Sequence, residues 1–423
     1  MTRPPLARVL RLSAVWLVAA SASLLLVACP GDDTEPDGSP TPTATASPTA
    51  TPDDGTSGVT SESILFGQSA AFEGPAAELG RSMRLGILAA FQEANEAGGV
   101  NGRRLELISM NDSYEPEAAI ANTRQLIEED QVFALIGAVG TPTSRSTTPI
   151  AAEAGVPNIA PFTGAAFLRD PSWGNIINLR ASYNQETEEM VDRLIRDLDI
   201  TSVGIMYQDD SYGRAGYGGV VAALDRRGLG PSSIGIYPRN TTAVKTALLD
   251  LSEGNPEAVV QIGAYEPVAE LILWAREVDW EPVFLNVSFV GSNALARALG
   301  FRGVGVFVTQ VVPFPWDDTQ PVVAAYQRAL KAHDPEAEPG FVSLEGYIAG
   351  RLAIIGLERC GAEVDRSCFL DSILGAEELD IDGFPLSFGE GDNQGSDAVF
   401  MTVIGFDGRY YQVKTLRGVA TPE

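Results

Sequence analysis

The fold can be inferred from residues 64–102, which read ILFGQSAAFEGPAAELGRSMRLGILAAFQEANEAGGVNG. Ile64-Leu65-Phe66 is a short apolar run typical of a strand. After Gly74-Pro75, apolar side chains recur at helical spacing, at Leu79, Met83, Ile87, Ala90, Phe91 and Ala94. Gly98-Gly99 predicts the end of that helix. The stretch therefore predicts one unit of strand, loop and helix.

The same alternation continues along the chain. Further strands are predicted at 105–110, 132–136, 203–207, 258–262 and 304–308, and a helix is predicted with Pro116 in its first turn. Strands separated by helices of this length form parallel sheets through right-handed crossovers, with helices on both faces. We therefore expect an α/β fold of the doubly wound type.

Two parts of this pattern look alike. Ile136-Gly137-Ala138-Val139 and Ile262-Gly263-Ala264-Tyr265 each follow a predicted strand and lead into a helix. Two Rossmann-like lobes of the same architecture would place their strand-end loops on opposite sides of a cleft. The alternative is that every strand-helix unit shares this local pattern.

Composition narrows the possible functions. The 423 residues include 29 Lys and Arg against 56 Asp and Glu, a net charge of −27, and such a field repels nucleic acid. One histidine, His333, and three cysteines leave few groups for a metal site or an imidazole base. The sequence contains no P-loop, no dinucleotide-binding glycine motif and no Gly-x-Ser-x-Gly elbow. We expect no cofactor, no bound metal and no catalytic residues.

The N-terminal part predicts export and anchoring. Residues 1–28 have the layout of a secretory signal, with arginines before an apolar run. The run ends in Leu26-Val27-Ala28-Cys29, which resembles a bacterial lipobox; an uncleaved transmembrane anchor is the alternative. Residues 29–58 are rich in Pro, Thr, Ser and Asp, which predicts a disordered tether. The protein is therefore expected outside the cytoplasm, in the periplasm or on the outer face of the bacterial cell membrane, held by a lipid on Cys29.

Several motifs of the remaining chain follow one another in a specific order. They are Gly74-Pro75, the run from Asn95 to Gly102, Thr141-Pro142-Thr143-Ser144, Gly155-Val156-Pro157, the run from Ala160 to Ala165, and the run from Tyr207 to Gly213. Their order resembles that of the leucine/isoleucine/valine-binding proteins, which are type I periplasmic binding proteins of ABC transporters.

The resemblance implies two lobes joined by three crossover strands, with a cleft between them. The first lobe would comprise residues 59–182 and 313–392, and the second lobe residues 183–312 and 393–423. Proteins of this family close over a small ligand and then dock on a permease.

The resemblance also implies which residues line the cleft. The candidates from the first lobe are Thr141, Ser144, Phe162, Thr163, Gly164 and Ala165. Hydroxyls and backbone N–H groups at helix starts bind an anionic group, although helix capping is the alternative for each hydroxyl. The candidates from the second lobe are Tyr212, Tyr265, Ser288 and Phe289. Aromatic rings there would cover the ligand, with a place in the core as the alternative for each tyrosine.

Ser288 departs from the family pattern. Amino acid binders present a glutamate at this position to pair with the ligand ammonium, and a neutral serine cannot compensate a desolvated charge in that way. One alternative is a displaced carboxylate, from Asp209, Asp210, Glu266 or Glu345. The other is a ligand that is uncharged or purely anionic.

Cys360 and Cys368 are expected to form a local disulfide, because thiols outside the cytoplasm are oxidised.

The predicted function is a lipid-anchored receptor that takes up a small polar ligand, an amino acid or related compound, for an ABC importer. An exported α/β enzyme acting on a small substrate and a ligand-sensing receptor component are the alternatives.

Overall fold

The computed structural model describes residues 55–418. Its strands are β1 (Ser63–Ala70), β2 (Arg104–Asn111), β3 (Ala134–Ile136), β4 (Asn158–Ile159), β5 (Ile176–Ile177), β6 (Val203–Gln208), β7 (Ser233–Tyr237), β8 (Ala258–Ile262), β9 (Val283–Asn286), β10 (Phe307–Gln310), β11 (Glu378–Ile381), β12 (Phe384–Ser387), β13 (Phe400–Ile404) and β14 (Tyr410–Gln412). The predicted signal (1–28), Cys29 and most of the predicted tether (29–58) lie outside the described residues.

Helices follow most of the strands up to β10. They are α1 (Ala77–Glu96), α2 (Pro116–Arg124), α3 (Thr141–Glu153), α4 (Tyr183–Leu198), α5 (Ser211–Asp225), α6 (Lys245–Glu253), α7 (Tyr265–Glu277), α8 (Ser292–Leu299), α9 (Pro321–His333), α10 (Phe341–Cys360) and α11 (Arg366–Leu374). Within residues 55–418, no helix has both the length and the apolar character that a membrane span requires.

Two sheets carry the fold, and they repeat one strand order. The first sheet runs β2-β1-β3-β4-β5 and is parallel throughout. The second sheet contains the equivalent parallel order β7-β6-β8-β9-β10, extended by antiparallel β13 and β14. The expectation of a doubly wound α/β fold with two Rossmann-like lobes is confirmed.

Local sequence signals explain where several helices begin. Pro116 occupies the first helical position of α2, where a missing backbone N–H is harmless. Ser182 and Gln185 form a capping box at the start of α4. The carboxylate of Asp210 caps α5 by accepting hydrogen bonds from the N–H groups of Tyr212 and Gly213.

Two predicted strands begin later than expected, and the strand expected from Val132 begins at Ala134. The strand expected from Val304 begins only at Phe307, because Gly305 has a φ of 82° and the chain turns there.

The end of the predicted tether also interacts with the folded body. Gly55 O accepts a hydrogen bond from Arg366 N at 3.0 Å, and Gly58 O accepts one from Leu65 N at 2.9 Å.

The chain crosses between the two sheets after β5, after β10 and before β13. Asn178 in the first crossing is paired with the third crossing, since its N–H donates to Asn393 O and its carbonyl accepts from Gly395 N, both at 2.8 Å. Helices α9 and α10 follow the second crossing and pack on α1. We call the first sheet with α1–α3 and α9–α11 the first lobe, and the second sheet with α4–α8 the second lobe. The residue boundaries predicted for the lobes remain a prediction.

Candidate ligand-binding site

The candidate residues lie where strands of both sheets end. Thr141 begins α3 after β3, Tyr212 lies in the first turn of α5 after β6, and Tyr265 begins α7 after β8. In the first sheet β3 adjoins the point where the strand order reverses, and in the second sheet β6 and β8 lie on either side of that point. Ligands of open α/β sheets bind at the carboxyl ends of the strands around such a point.

Aromatic rings from both lobes meet in one buried cluster. Phe289 is central: its ring centroid lies 4.5 Å from that of Tyr212 and 5.4 Å from that of Phe162. Tyr114 is 6.1 Å from Phe289, and Tyr183 is 5.5 Å from Tyr212. We call these five residues the aromatic cluster. It contains three predicted ligand residues, Phe162, Tyr212 and Phe289, and joins two lobes through apolar contacts.

A chain of hydroxyls borders the aromatic cluster. The Thr141 and Thr163 Oγ1 atoms are 2.7 Å apart, and Thr163 Oγ1 lies 3.3 Å from the Tyr183 hydroxyl. Thr141 is thus bonded to another side chain, and α3 has no side-chain cap. Gly164 is close to Tyr183, because a Cβ added to Gly164 would lie 2.7 Å from the backbone N of Tyr183. Ala165 is buried next to Thr163. These predicted residues of the first lobe therefore lie together.

Ser288 belongs to a second buried group, which contains charges. The Ser288 N–H donates to Glu186 Oε2 at 2.7 Å, and its hydroxyl contacts both Glu186 Oε1 and Arg180 Nη2. Arg180 Nη2 lies 3.5 Å from Glu186 Oε1, and Arg180 Nη1 lies 3.7 Å from Glu345 Oε1. We call Arg180, Glu186 and Glu345 the charge cluster. It lies against the aromatic cluster, because the Arg180 Cζ is 4.7 Å from the Phe162 ring centroid.

Of the four acids considered as replacements for the family glutamate, Glu345 is the one that contacts Arg180. Asp210 caps α5, Asp209 forms an exposed pair with Arg214 at 3.0 Å, and Glu266 is exposed. Glu345, on α10 of the first lobe, is only 2% exposed.

Burial controls the protonation of these groups. It raises the pKa of Glu345 to about 7, against the opposing effect of Arg180. For Arg180, burial alone would lower the pKa, but the carboxylates of Glu345 and Glu186 outweigh it and the pKa is raised. Burial raises the pKa of Tyr183 to about 12 and that of Tyr212 well above its usual value. The tyrosines therefore keep their protons at neutral pH and can donate hydrogen bonds.

Two predicted residues lie apart from the aromatic cluster. Ser144 lines a small cavity inside the first lobe with Ser69, Asp112 and Asn158, and its hydroxyl has no hydrogen-bond partner among the described residues. Tyr265 begins α7 and borders Gly291. Neither observation tests a ligand-binding role, which stays a prediction for every residue of the set.

The sequence analysis missed Arg180, Glu186, Tyr114 and Tyr183. Arg180 carried a usable signal, since it is the one charged residue in the mostly apolar stretch from Ile176 to Ala181. Buried charges in such places are rare without a partner or a function. Tyr114 has a left-handed backbone with a φ of 63°, an unusual conformation that the sequence does not announce.

Cys360 and Cys368 are joined in the structure, with Cα atoms 5.9 Å apart. Among the described residues, no group of three or more His, Cys, Asp or Glu side chains is arranged to hold a metal ion.

Comparisons with known proteins agree on one family. The model of the periplasmic binding protein family matches residues 63–409. An amino acid binding protein of Pseudomonas aeruginosa is 23% identical over 240 residues, which are 56% of this chain and 63% of that protein. A Leu/Ile/Val-binding protein homologue of Brucella abortus is 26% identical over 52% of this chain and 57% of its own length. The chain thus spans about three-fifths of these two relatives.

A solved structure extends the match. The crystal structure of a possible leucine/isoleucine/valine-binding protein from Rhodopirellula baltica has a TM-score of 0.79 and 40% sequence identity. The alignment covers 86% of this chain and 98% of that one.

Proposed function

Because the chain belongs to the periplasmic binding protein family, in its leucine/isoleucine/valine-binding-like type I group, we propose that it captures a small polar ligand and delivers it to the permease of an ABC importer. Membership makes it an extracytoplasmic ligand-binding protein and not an enzyme. The proposed ligand is an amino acid or a related compound, in keeping with the names of the Pseudomonas and Rhodopirellula proteins.

One observation carries the proposal of capture. The strand-end loops of both sheets contribute to a single buried region, in which Phe162 of the first lobe touches Phe289 of the second. A ligand bound there contacts both lobes at once. Its binding energy then favours the arrangement in which the lobes are together, which is how hinge closure couples to a ligand.

Contacts at the rim of the cleft support closure as the working motion. Arg239 Nη2 of the second lobe lies 2.6 Å from Glu115 Oε2 of the first lobe. Arg297 Nη2 of the second lobe lies 3.0 Å from Glu78 Oε2 of the first lobe. Both pairs are partly exposed, so each is worth at most about 1 kcal/mol and can open readily.

We also propose that Cys29 carries the lipid that holds the protein at the membrane, and that the Cys360–Cys368 disulfide is formed after export. Cys29→Ser is expected to abolish incorporation of labelled lipid and to release the protein from membranes. A membrane-bound, lipid-labelled variant would contradict the anchor.

A thermal-shift screen of the purified protein tests the proposed function. Amino acids, short peptides, amides and organic acids are compared, because a ligand that binds the folded state raises Tm as its concentration exceeds Kd. Phe289→Ala should remove the ligand-dependent part of the shift, measured from the variant's own baseline. Phe406→Ala is the matched control, since Phe406 is 65% exposed and lies in the second lobe outside the aromatic cluster. An equal loss in both variants, or no shift with any compound, would contradict the proposal.

A further inference from the structure

Arg180 is a buried cation in contact with the candidate site. It lies between β5 and α4, in the first crossing between the lobes, and is only 1% exposed. Its Nη2 bonds the hydroxyl of Ser288, and its guanidinium lies over the ring of Phe162. Two of the predicted ligand residues therefore border this guanidinium.

Arg180 also has hydrogen-bonding capacity to spare. Its Nε and Nη1 atoms have no hydrogen-bond partner among the described residues. Glu345 Oε1 lies 3.7 Å from Nη1, an ion-pair distance beyond that of a hydrogen bond, and has no hydrogen-bond partner either. Buried polar groups are normally hydrogen-bonded, so unused donors this close to a binding region point to a ligand acceptor.

The acids beside Arg180 differ in what they can still accept. Glu186 is already engaged in the second lobe: its Oε2 accepts from Ser288 N at 2.7 Å and from Thr309 Oγ1 at 2.5 Å, and its Oε1 accepts from Ser288 Oγ at 3.0 Å. Glu345 has a pKa of about 7, so a large fraction is uncharged at neutral pH. Below pH 7, Arg180 is thus the group that combines charge with open hydrogen-bonding positions.

From this geometry we infer that the cleft selects ligands with a carboxylate and an apolar body and without an ammonium group, and that Arg180 binds the carboxylate. The inference rests on the proposed function and narrows its ligand to a compound related to an amino acid that lacks the amino group. A carboxylate would accept hydrogen bonds from the unused donors of a charged group, the strongest kind available. An ammonium placed here would lie near a guanidinium, where low dielectric makes like-charge repulsion costly. Ser288 offers no negative charge to offset it, and the Glu186 carboxylate next to Ser288 already accepts three hydrogen bonds and pairs with Arg180.

Matched compounds test the inference on the unaltered protein. Three compounds share the apolar body of leucine. Leucine itself carries both the carboxylate and the ammonium, 4-methylpentanoate carries the carboxylate alone, and 3-methylbutylamine carries the ammonium alone. Phenylalanine, 3-phenylpropanoate and 2-phenylethylamine form a second set. Calorimetric titration at pH 6, where Glu345 is mostly protonated, should give the carboxylate of at least one set a Kd about tenfold or more below that of its amino acid. Both compounds offer Arg180 the same carboxylate, but the amino acid must also desolvate an ammonium beside the guanidinium. The amines should not bind.

Two variants assign the effect to residues. Arg180→Gln should reduce the preference for the carboxylate to about twofold or less, and Arg302→Gln, at an exposed arginine of the second lobe, should leave it unchanged. Because Arg180→Gln removes a contact between the lobes and can fail to fold, Glu345→Gln provides an independent test. At pH 7.5, where Glu345 is mostly ionised, it should tighten carboxylate binding, because it removes an acid that competes for Arg180.

The outcomes separate the inference from the proposed function. Tighter binding of leucine or phenylalanine than of the matching carboxylate would overturn the inference and leave the proposed function standing. A tenfold weakening of leucine binding in Glu345→Gln would also overturn the inference and leave the proposed function standing, because Glu345 would then pair with the ammonium. Failure of all six compounds would also overturn the inference, and the thermal-shift screen then decides on the proposed function alone.

Discussion

Glu345 links the candidate site to the stability of the protein. Its carboxyl has a pKa of about 7 in the folded protein, raised by burial from an ordinary value of 4.5. The folded state therefore binds this proton more tightly than the unfolded state. The resulting stabilisation is complete below pH 4.5 and is lost as the pH rises through 7.

We accordingly predict that the free energy of unfolding falls by about 3 kcal/mol between pH 4.5 and pH 8 through this group, at about 1.4 kcal/mol per pKa unit. Urea denaturation of the wild type and of Glu345→Gln at pH 5, 6, 7 and 8 measures it. The buried carboxyl of Asp112, whose pKa burial raises to about 6, acts in the same direction in both proteins. The difference between the two proteins therefore isolates Glu345, and parallel pH profiles would contradict the prediction.

Sequence alone could predict part of the candidate site. Thr141 and Tyr212 each follow a predicted parallel strand, so strand spacing places each of them at the carboxyl edge of its own sheet, and the family resemblance implies that both edges face one cleft. Arg180 and Glu186 lie at and just after a crossing between lobes, and their proximity to Glu345 depends on how the lobes are arranged. Ser144 lies on the same helix as Thr141 but faces the interior of its own lobe, which strand spacing cannot show.

At the level of elements, α1 and α10 approach each other so closely that glycine is needed at the contact. An added Cβ on Gly346 would lie 2.3 Å from the carbonyl oxygen of Met83, and one on Gly86 would lie 1.9 Å from that of Ser343. Both obstacles are backbone atoms, which cannot rotate away. These glycines allow α10, which follows the second crossing, to pack on the first helix of the fold.

Gly346→Ala is therefore expected to lower the free energy of unfolding by about 1–3 kcal/mol, the usual cost of overpacking. Gly218→Ala is the matched control, because Gly218 is also helical but has no atom within 4 Å of an added Cβ. Alanine forms helices better than glycine, so the control should gain up to about 1 kcal/mol. Denaturation curves of the two variants decide, and equal effects would contradict the close approach.

The strands show where sequence patterns succeed and where they fall short. Apolar runs such as Ala258–Ile262 are buried along their whole length, as parallel strands between helix layers are, and β8 has the predicted bounds. The β11–β12 hairpin was not predicted, although Asp382-Gly383 is a recognised turn signal and both residues have positive φ angles. Its flanking runs are only four residues long and alternate with polar side chains, so the pattern is weak.

For the whole molecule, the balance between the two lobes depends on contacts at the rim of the cleft as well as inside it. Glu115 is bonded to Arg239 and to Asn240, whose Nδ2 lies 2.6 Å from Glu115 Oε1. Glu78 is bonded to Arg297. These pairs lie between the lobes and not within either one, so losing them should change the position of the lobes more than their internal stability.

We predict that the double variant Glu78→Gln and Glu115→Gln opens the cleft more often. Removing partly exposed pairs worth about 0.2–1 kcal/mol each should raise the open population roughly fivefold. Hydrogen exchange of peptides covering residues 284–292 should then become several-fold faster, because Phe289 in that segment is fully buried between the lobes. Glu188→Gln is the control, since Glu188 pairs with Arg226 and Arg227 inside the second lobe. Faster exchange in the control alone, or unchanged exchange in the double variant, would show that the rim pairs do not hold the lobes together.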